Sequence, residues 1–197
     1  MQWLIRYSTD SLIRRGAVDP ADREVYEYGL HGVFTDALQY GVLLVVSLLL
    51  GRLPQTVAFH IAFIPLRGYA GGYHAKTQLR CFLLSTGLWL AALAVIDLLQ
   101  GINVASLCIA LVSCVVIWLL APVVHEANPI GPQTQRAARK RARIYATFFL
   151  AASVLAVLLL PARFGWLPAS LAMGMALVAA LACLAKGIAF AKACRMR

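Results

Sequence analysis

The chain has 197 residues, of which 61% are hydrophobic and 13% charged, with a mean hydropathy of +0.78. A soluble domain carries about a quarter of its residues as charge, so the composition excludes one and points to an integral membrane protein. The formal net charge of +10 calls for anionic surroundings, either anionic membrane lipid at about 1 kcal/mol per basic residue or an acidic peptide. A nucleic-acid partner does not fit, because a membrane-embedded chain with one short basic stretch lacks a groove-reading element.

In chain order, residues 1–15 have no continuous apolar core, being interrupted by Arg6, Asp10, Arg14 and Arg15, so they are not a cleavable signal. Trp3, Leu4, Tyr7, Leu12 and Ile13 recur at helical spacing. They predict an amphipathic helix lying in the membrane interface and stopping near Gly16. Asp19 and Pro20 read as cap and first-turn proline of the next helix, which carries Asp22, Arg23, Glu24 and Glu27 before turning apolar. Apolar runs follow at 33–50, 79–99, 104–121, 144–160 and 168–185, each near the roughly 17 to 25 residues that span a bilayer core as helix. A sixth run, 55–66, covers only about 18 Å of a core roughly 30 Å thick. It must continue into the weakly polar residues 68–73 or stop part way.

Positive residues are retained on the cytoplasmic side. With six crossings and the N-terminus inside, the inner side holds Arg6, Arg14, Arg15 and Arg23; Arg67, Lys76 and Arg80; Arg136, Arg139, Lys140, Arg141 and Arg143; and Lys186, Lys192, Arg195 and Arg197. Arg52 and Arg163 alone fall outside. Five crossings give a weaker asymmetry. The expected fold is therefore all-α and polytopic, a single membrane-embedded domain over 1–197 with six transmembrane helices and an N-terminal interfacial amphipathic helix. Both termini and a long loop at 122–143 face the cytoplasm.

Cys108, Cys114 and Cys183 lie within apolar spans, where free cysteine packs as a small buried hydrophobe. Cys194 sits in a basic stretch with no His near it in sequence. His31 and His125 read as interfacial hydrogen-bonding residues. His60 stands at membrane depth, where ionisable groups face a protein interior or a cavity; Asp97 is a buried acid or one near the outer interface.

The remaining His and Cys share a polar, glycine-containing island, R-G-Y-A-G-G-Y-H-A-K-T-Q-L-R-C, from Arg67 to Cys81. A thiolate is the reactive form of cysteine, and an imidazole with nearby positive charge is how proteins obtain it at neutral pH. Arg67, Lys76 and Arg80 supply that charge. On a regular helix the seven residues from His74 to Cys81 would place the two side chains on one face but about 10 Å apart along the axis. A dyad therefore requires an irregular chain at His74 and a helix that starts afresh between His74 and Gln78, with Gly71 and Gly72 in the turn. Such chemistry calls for no cofactor and no metal.

The pattern R-x-x-x-G-G-x-H with Cys seven residues after the His is carried by Arg67, Gly71, Gly72, His74 and Cys81. Ala121-Pro122, Asn128-Pro129-Ile130 and the basic run from Arg136 to Arg143 follow. Together with the length and the hydrophobic segmentation, these resemble the accessory gene regulator protein B family, membrane endopeptidases that process quorum-sensing propeptides in Gram-positive bacteria. The resemblance implies a peptidase in a bacterial cell membrane, with Cys81 as nucleophile and His74 as base on the cytoplasmic side. It implies an AgrD-like propeptide as substrate, with an amphipathic leader and an acidic tail, cut at the tail and cyclised to a thiolactone or lactone through an acyl-enzyme thioester. Arg67, Gly71 and Gly72 would shape the site, and Arg139, Lys140, Arg141 and Arg143 would meet the tail. No acidic residue adjoins His74 in sequence, so no third catalytic member is assigned. A homodimer is a further expected association. The competing class is a noncatalytic small transporter or scaffold, with the Gly-Gly break as a substrate gate, although no two halves of the chain carry comparable broken segments.

Overall fold

A computed structural model describes residues 2–73, 77–123 and 131–195, which fold into seven α-helices and two short 3₁₀ turns. Two compact units divide the chain, 1–50 and 51–197. In the first, α1 (Gln2–Arg14) ends at Gly16, whose φ of 68° is open to a residue without a Cβ. The 3₁₀ turn Pro20–Asp22 then leads into α2 (Arg23–Leu49). Asp19 is the cap expected from sequence: its Oδ1 accepts the Ala21 N–H at 2.9 Å, with Pro20 in the first turn. Arg23 ties the two helices, bonding Asp10 of α1 at 2.8 Å and Glu27 of α2 at 2.9 Å.

The second unit comprises α3 (Leu53–Ala70), α4 (Gln78–Leu99), α5 (Asn103–Leu120), α6 (Pro132–Leu159), a 3₁₀ turn at Ala162–Phe164 and α7 (Trp166–Arg195). Helix α7 is the hub, packing against α3, α4, α5 and α6. Its core is made of small residues: Ala62, Ala70, Ala110, Ala142, Ala146 and Ala172 are fully buried, with Leu66, Ile117, Met175 and Val178 filling the space between. Small side chains let helix backbones approach closely, which is how helices associate where lipid removes the hydrophobic drive between them. At Gly174 the approach of α7 to α3 is close, since a Cβ there would lie 2.7 Å from the Phe59 carbonyl oxygen. The outward faces carry exposed Leu83, Leu90 and Leu98 on α4, Leu111 and Leu119 on α5 and Leu155 and Leu158 on α6. An apolar surface of that extent suits lipid rather than water.

Among the described residues, five helical stretches are long and apolar enough to cross a membrane: Pro20–Leu49, Leu79–Leu99, Asn103–Leu120, Pro132–Leu159 and Ala162–Ala191. This is the pattern of a multi-pass membrane protein. Helix α3 is more polar, but it continues beyond residue 66 to Ala70. Its 18 residues rise about 27 Å at 1.5 Å each, so the helix itself runs on into the weakly polar residues. Arg52, at its start, pairs with Asp97 near the end of α4 at 2.8 Å, so α3 and α4 share their ends.

Two boundaries differ from the hydropathy reading. Helix α6 begins at Pro132, twelve residues before the apolar run, and α7 continues ten residues past its own. Pro132 suits a first helical turn, and Gln133, Ala137, Ala138, Arg139, Lys140 and Arg141 are good helix formers. Apolar runs report bilayer depth, whereas the backbone ladder continues through polar residues.

Candidate functional site

The island at 67–81 is a helix break, as its glycines predict. Helix α3 stops at Ala70; Gly71 and Gly72 take φ of 71° and 130°, values that favour glycine. Among the described residues, these bonds hold the turn. The Gly71 N–H returns to the Arg67 carbonyl at 3.2 Å, the Val123 N–H donates to the Ala70 carbonyl at 2.8 Å, and the Tyr73 N–H donates to the Leu181 carbonyl of α7 at 3.2 Å. Arg67, on the last turn of α3, donates through Nη2 to the Tyr73 carbonyl at 2.5 Å. A guanidinium makes this a charge-assisted bond, stronger than a neutral one. Gly71 also pairs with Val123 as an isolated parallel bridge. Arg67, Gly71 and Gly72 therefore form one structure, and Val123 and Leu181 complete it from distant parts of the chain.

Helix α4 then starts at Gln78, inside the window that a dyad requires. Thr77 caps it, its Oγ1 accepting the Arg80 N–H at 3.4 Å and its carbonyl accepting the Cys81 N–H at 3.0 Å. Cys81 is a half-buried free thiol next to this N-terminal turn, beside exposed Arg80. His74 and Lys76 lie outside the described residues, as do His125 and Asn128-Pro129-Ile130. The chain therefore leaves helix at Ala70 and re-enters it at Gln78, three residues before Cys81.

The basic cluster is helical. Residues 136–143 occupy the early turns of α6, which corrects the expectation of a loop running to Arg143. This periodicity sorts its members. Arg139, Lys140 and Arg141 are exposed, and Arg143 is half-buried. Arg141 lies over the Tyr69 ring, 5.3 Å from its centroid, and reaches the Tyr69 hydroxyl at 3.4 Å. Tyr69 precedes Ala70 on α3, so the basic helix abuts the turn. Arg143 instead reaches α5: it lies 4.9 Å from the Trp118 ring centroid and donates to the Trp118 carbonyl at 3.1 Å. Trp118 Nε1 donates back to Thr147 at 3.2 Å.

Other candidates are brought into different surroundings. Cys114 is buried, as expected, but Cys108 and Cys183 are exposed on outward helix faces; an apolar run does not say which face of its helix meets protein. Cys194 is exposed. His60 is buried with Nδ1 2.8 Å from the Thr56 carbonyl and Phe59 edge-on at 5.0 Å, a packed environment. Asp97 is the ion-pair partner of Arg52, at the end of α4 away from Cys81. Among the described residues no three His, Cys, Asp or Glu converge as metal ligands. Sequence reading did not single out Tyr69, Tyr145, Val123 or Leu181. Their contacts join positions tens of residues apart, and no local spacing announces them.

The family model for Accessory gene regulator B matches residues 5–188. An AgrB-like protein of Listeria welshimeri is 29% identical over 132 residues, which cover 66% of this chain and 65% of that protein. Accessory gene regulator protein B of Staphylococcus saprophyticus is 25% identical over 143 residues, 73% of this chain and 76% of its own. An AgrB-like protein of Lactiplantibacillus plantarum is 29% identical over 104 residues, 52% of either chain. The chain thus matches just under two thirds of the length of the Listeria relative. No solved structure matches it. With the helix break at Gly71-Gly72 and Cys81 at the start of the next helix inside the matched residues, the chain belongs to the Accessory gene regulator B family.

Proposed function

We propose that the protein is a membrane cysteine endopeptidase that cuts a short quorum-sensing propeptide at its C-terminal tail and cyclises the signal core. The observation that carries this reading is the break between α3 and α4, which removes the regular-helix separation between His74 and Cys81. Family membership supports it. His74 takes the thiol proton and the Cys81 sulfur attacks the carbonyl at the junction of core and tail. The carbon–nitrogen bond breaks, His74 returns the proton to the leaving amine, and the core remains as a thioester on Cys81. An internal Cys or Ser of the substrate then attacks that thioester, closing a thiolactone or lactone ring and restoring the Cys81 thiol.

The substrate is an AgrD-like propeptide with an amphipathic leader and an acidic tail, and Arg139 and Lys140, exposed on α6, are suited to the tail. All six long helices cross the membrane. The Arg52–Asp97 pair supports this, because it sets the start of α3 level with the far end of a helix long enough to span. Helix α1 lies in the interface, its exposed Trp3 and Tyr7 stacked at 5.7 Å and its basic residues near anionic lipid. The termini and the site face the cytoplasm.

Membranes containing the protein and a propeptide test the assignment. Cys81→Ala and His74→Ala should abolish cleavage with membrane insertion unchanged, whereas Cys108→Ala and Cys183→Ala should retain it. Normal cleavage by Cys81→Ala would remove the nucleophile and with it the peptidase reading.

A further inference from the structure

We infer that Arg141 and Tyr69 form a positioning pair, which docks the basic start of α6 on the turn leading into His74, and that Arg141 is not a tail contact. This rests on the reading of Cys81 and His74 as nucleophile and base. Tyr69 stacks on Tyr145 of α6 with centroids 5.6 Å apart and planes 7° from parallel, and Tyr145 continues to Phe149 at 6.3 Å. Phe149 is buried in the core among Ala142 and Ala146. The stack therefore anchors the last turn of α3 to α6, and Arg141 closes it from the end, over the Tyr69 ring and within reach of its hydroxyl. From Tyr69 the chain passes through Ala70, bonded to Val123, and Gly71 to Tyr73, bonded to Leu181 and Arg67; His74 is the next residue. A tilt of the last turn of α3 is passed along this short, bonded segment as far as Tyr73, the residue before His74.

The guanidinium of Arg141 is engaged by a ring face and a hydroxyl, a use that depends on its planar shape as well as its charge. Arg141 is exposed like Arg139 and Lys140, but it alone of the three is held against Tyr69 among the described residues.

The two roles differ in what they disturb. A positioning pair governs how readily Cys81 reacts even without substrate, whereas a tail contact governs binding alone. The full-length protein in detergent is treated with iodoacetamide across a pH range, alkylation at Cys81 being followed by mass spectrometry, and propeptide cleavage is resolved into kcat and KM. Arg141→Gln and Tyr69→Ala should slow alkylation at neutral pH and lower kcat by about tenfold to a hundredfold, the scale of a misplacement of about 1 Å, with KM little changed. Tyr69→Phe keeps the stack and the ring face, guards against misfolding, and should lose severalfold less. Arg141→Lys should resemble Arg141→Gln, since charge without the planar group does not rebuild the contact. Arg139→Gln should raise KM and leave alkylation as it was. If Arg141→Gln raises KM alone, with alkylation unchanged and Arg141→Lys fully active, the positioning role is refuted while the peptidase reading stands. If cleavage by the unaltered protein proves independent of Cys81, the peptidase reading fails, and the positioning role with it.

Discussion

Gly71 shows how much one missing methyl group decides. Its φ is positive, and a Cβ built on it would run into the Val123 carbonyl oxygen, a backbone atom that cannot swing aside. Gly68, three residues earlier and inside α3, has open space around its Cβ position. Gly71→Ala should therefore destabilise the protein by about 1 to 3 kcal/mol through backbone strain and slow alkylation of Cys81. Gly68→Ala should stabilise it by up to about 1 kcal/mol, as alanine does in a helix interior. Thermal unfolding in detergent measures both, and equal melting temperatures for the two variants would contradict the assigned constraint. The Gly-Gly break was legible in the sequence because the incompatibility of a regular helix with a His–Cys dyad is local geometry. Arg141 on Tyr69 was not: 72 residues separate the pair, and a tyrosine in the island and an arginine in a basic run carry no mark of each other.

At the scale of elements, the sequence showed where apolar helix lay but not how far each helix ran or which face met its neighbours. Hydropathy placed the start of the span at Ile144, whereas α6 had begun at Pro132, and this extension carries Arg141 to the end of α3. Cys183 and Cys108 looked interior because their runs are apolar throughout, and in a membrane helix the lipid face is as apolar as the packed one. Contact between α3 and α7 is decided instead by size. Gly174 brings α7 against Phe59 and Ala62 of α3, so Gly174→Leu must separate two backbones. It should lower the melting temperature and the yield of folded protein, with a cost in the roughly 1 to 3 kcal/mol range of overpacking or above it. Gly187→Leu, on the same helix where nothing lies within 4 Å of the added Cβ, should leave both unchanged. Comparable losses from the two substitutions would mean that leucine in α7, rather than the approach of α3, is what the fold resists.

For the whole molecule, the proposed six-crossing topology draws on the distribution of positive charge and on the length of α3. The Lys and Arg distribution favours six crossings, because only then do all but Arg52 and Arg163 share one side. Helix α3 adds length, about 27 Å of rise, and the Arg52–Asp97 bond joins its start to the distant end of α4. A helix that dipped into the bilayer and returned would put residues 50 and 76 on one side; a crossing helix separates them. In a background with every native cysteine replaced, single cysteines at Leu50, Lys76, Gly101, Arg139 and Arg163 can be tested in intact cells with a maleimide that does not cross membranes. Leu50→Cys, Gly101→Cys and Arg163→Cys should label from outside, and Lys76→Cys and Arg139→Cys only after the membrane is opened. Labelling of residues 50 and 76 from the same side would make α3 re-entrant and reverse either the N-terminal part or the rest of the topology. The site would then face the exterior if the N-terminus stayed inside, away from newly made propeptide, so this one pair of positions bears on the substrate as well as on the fold.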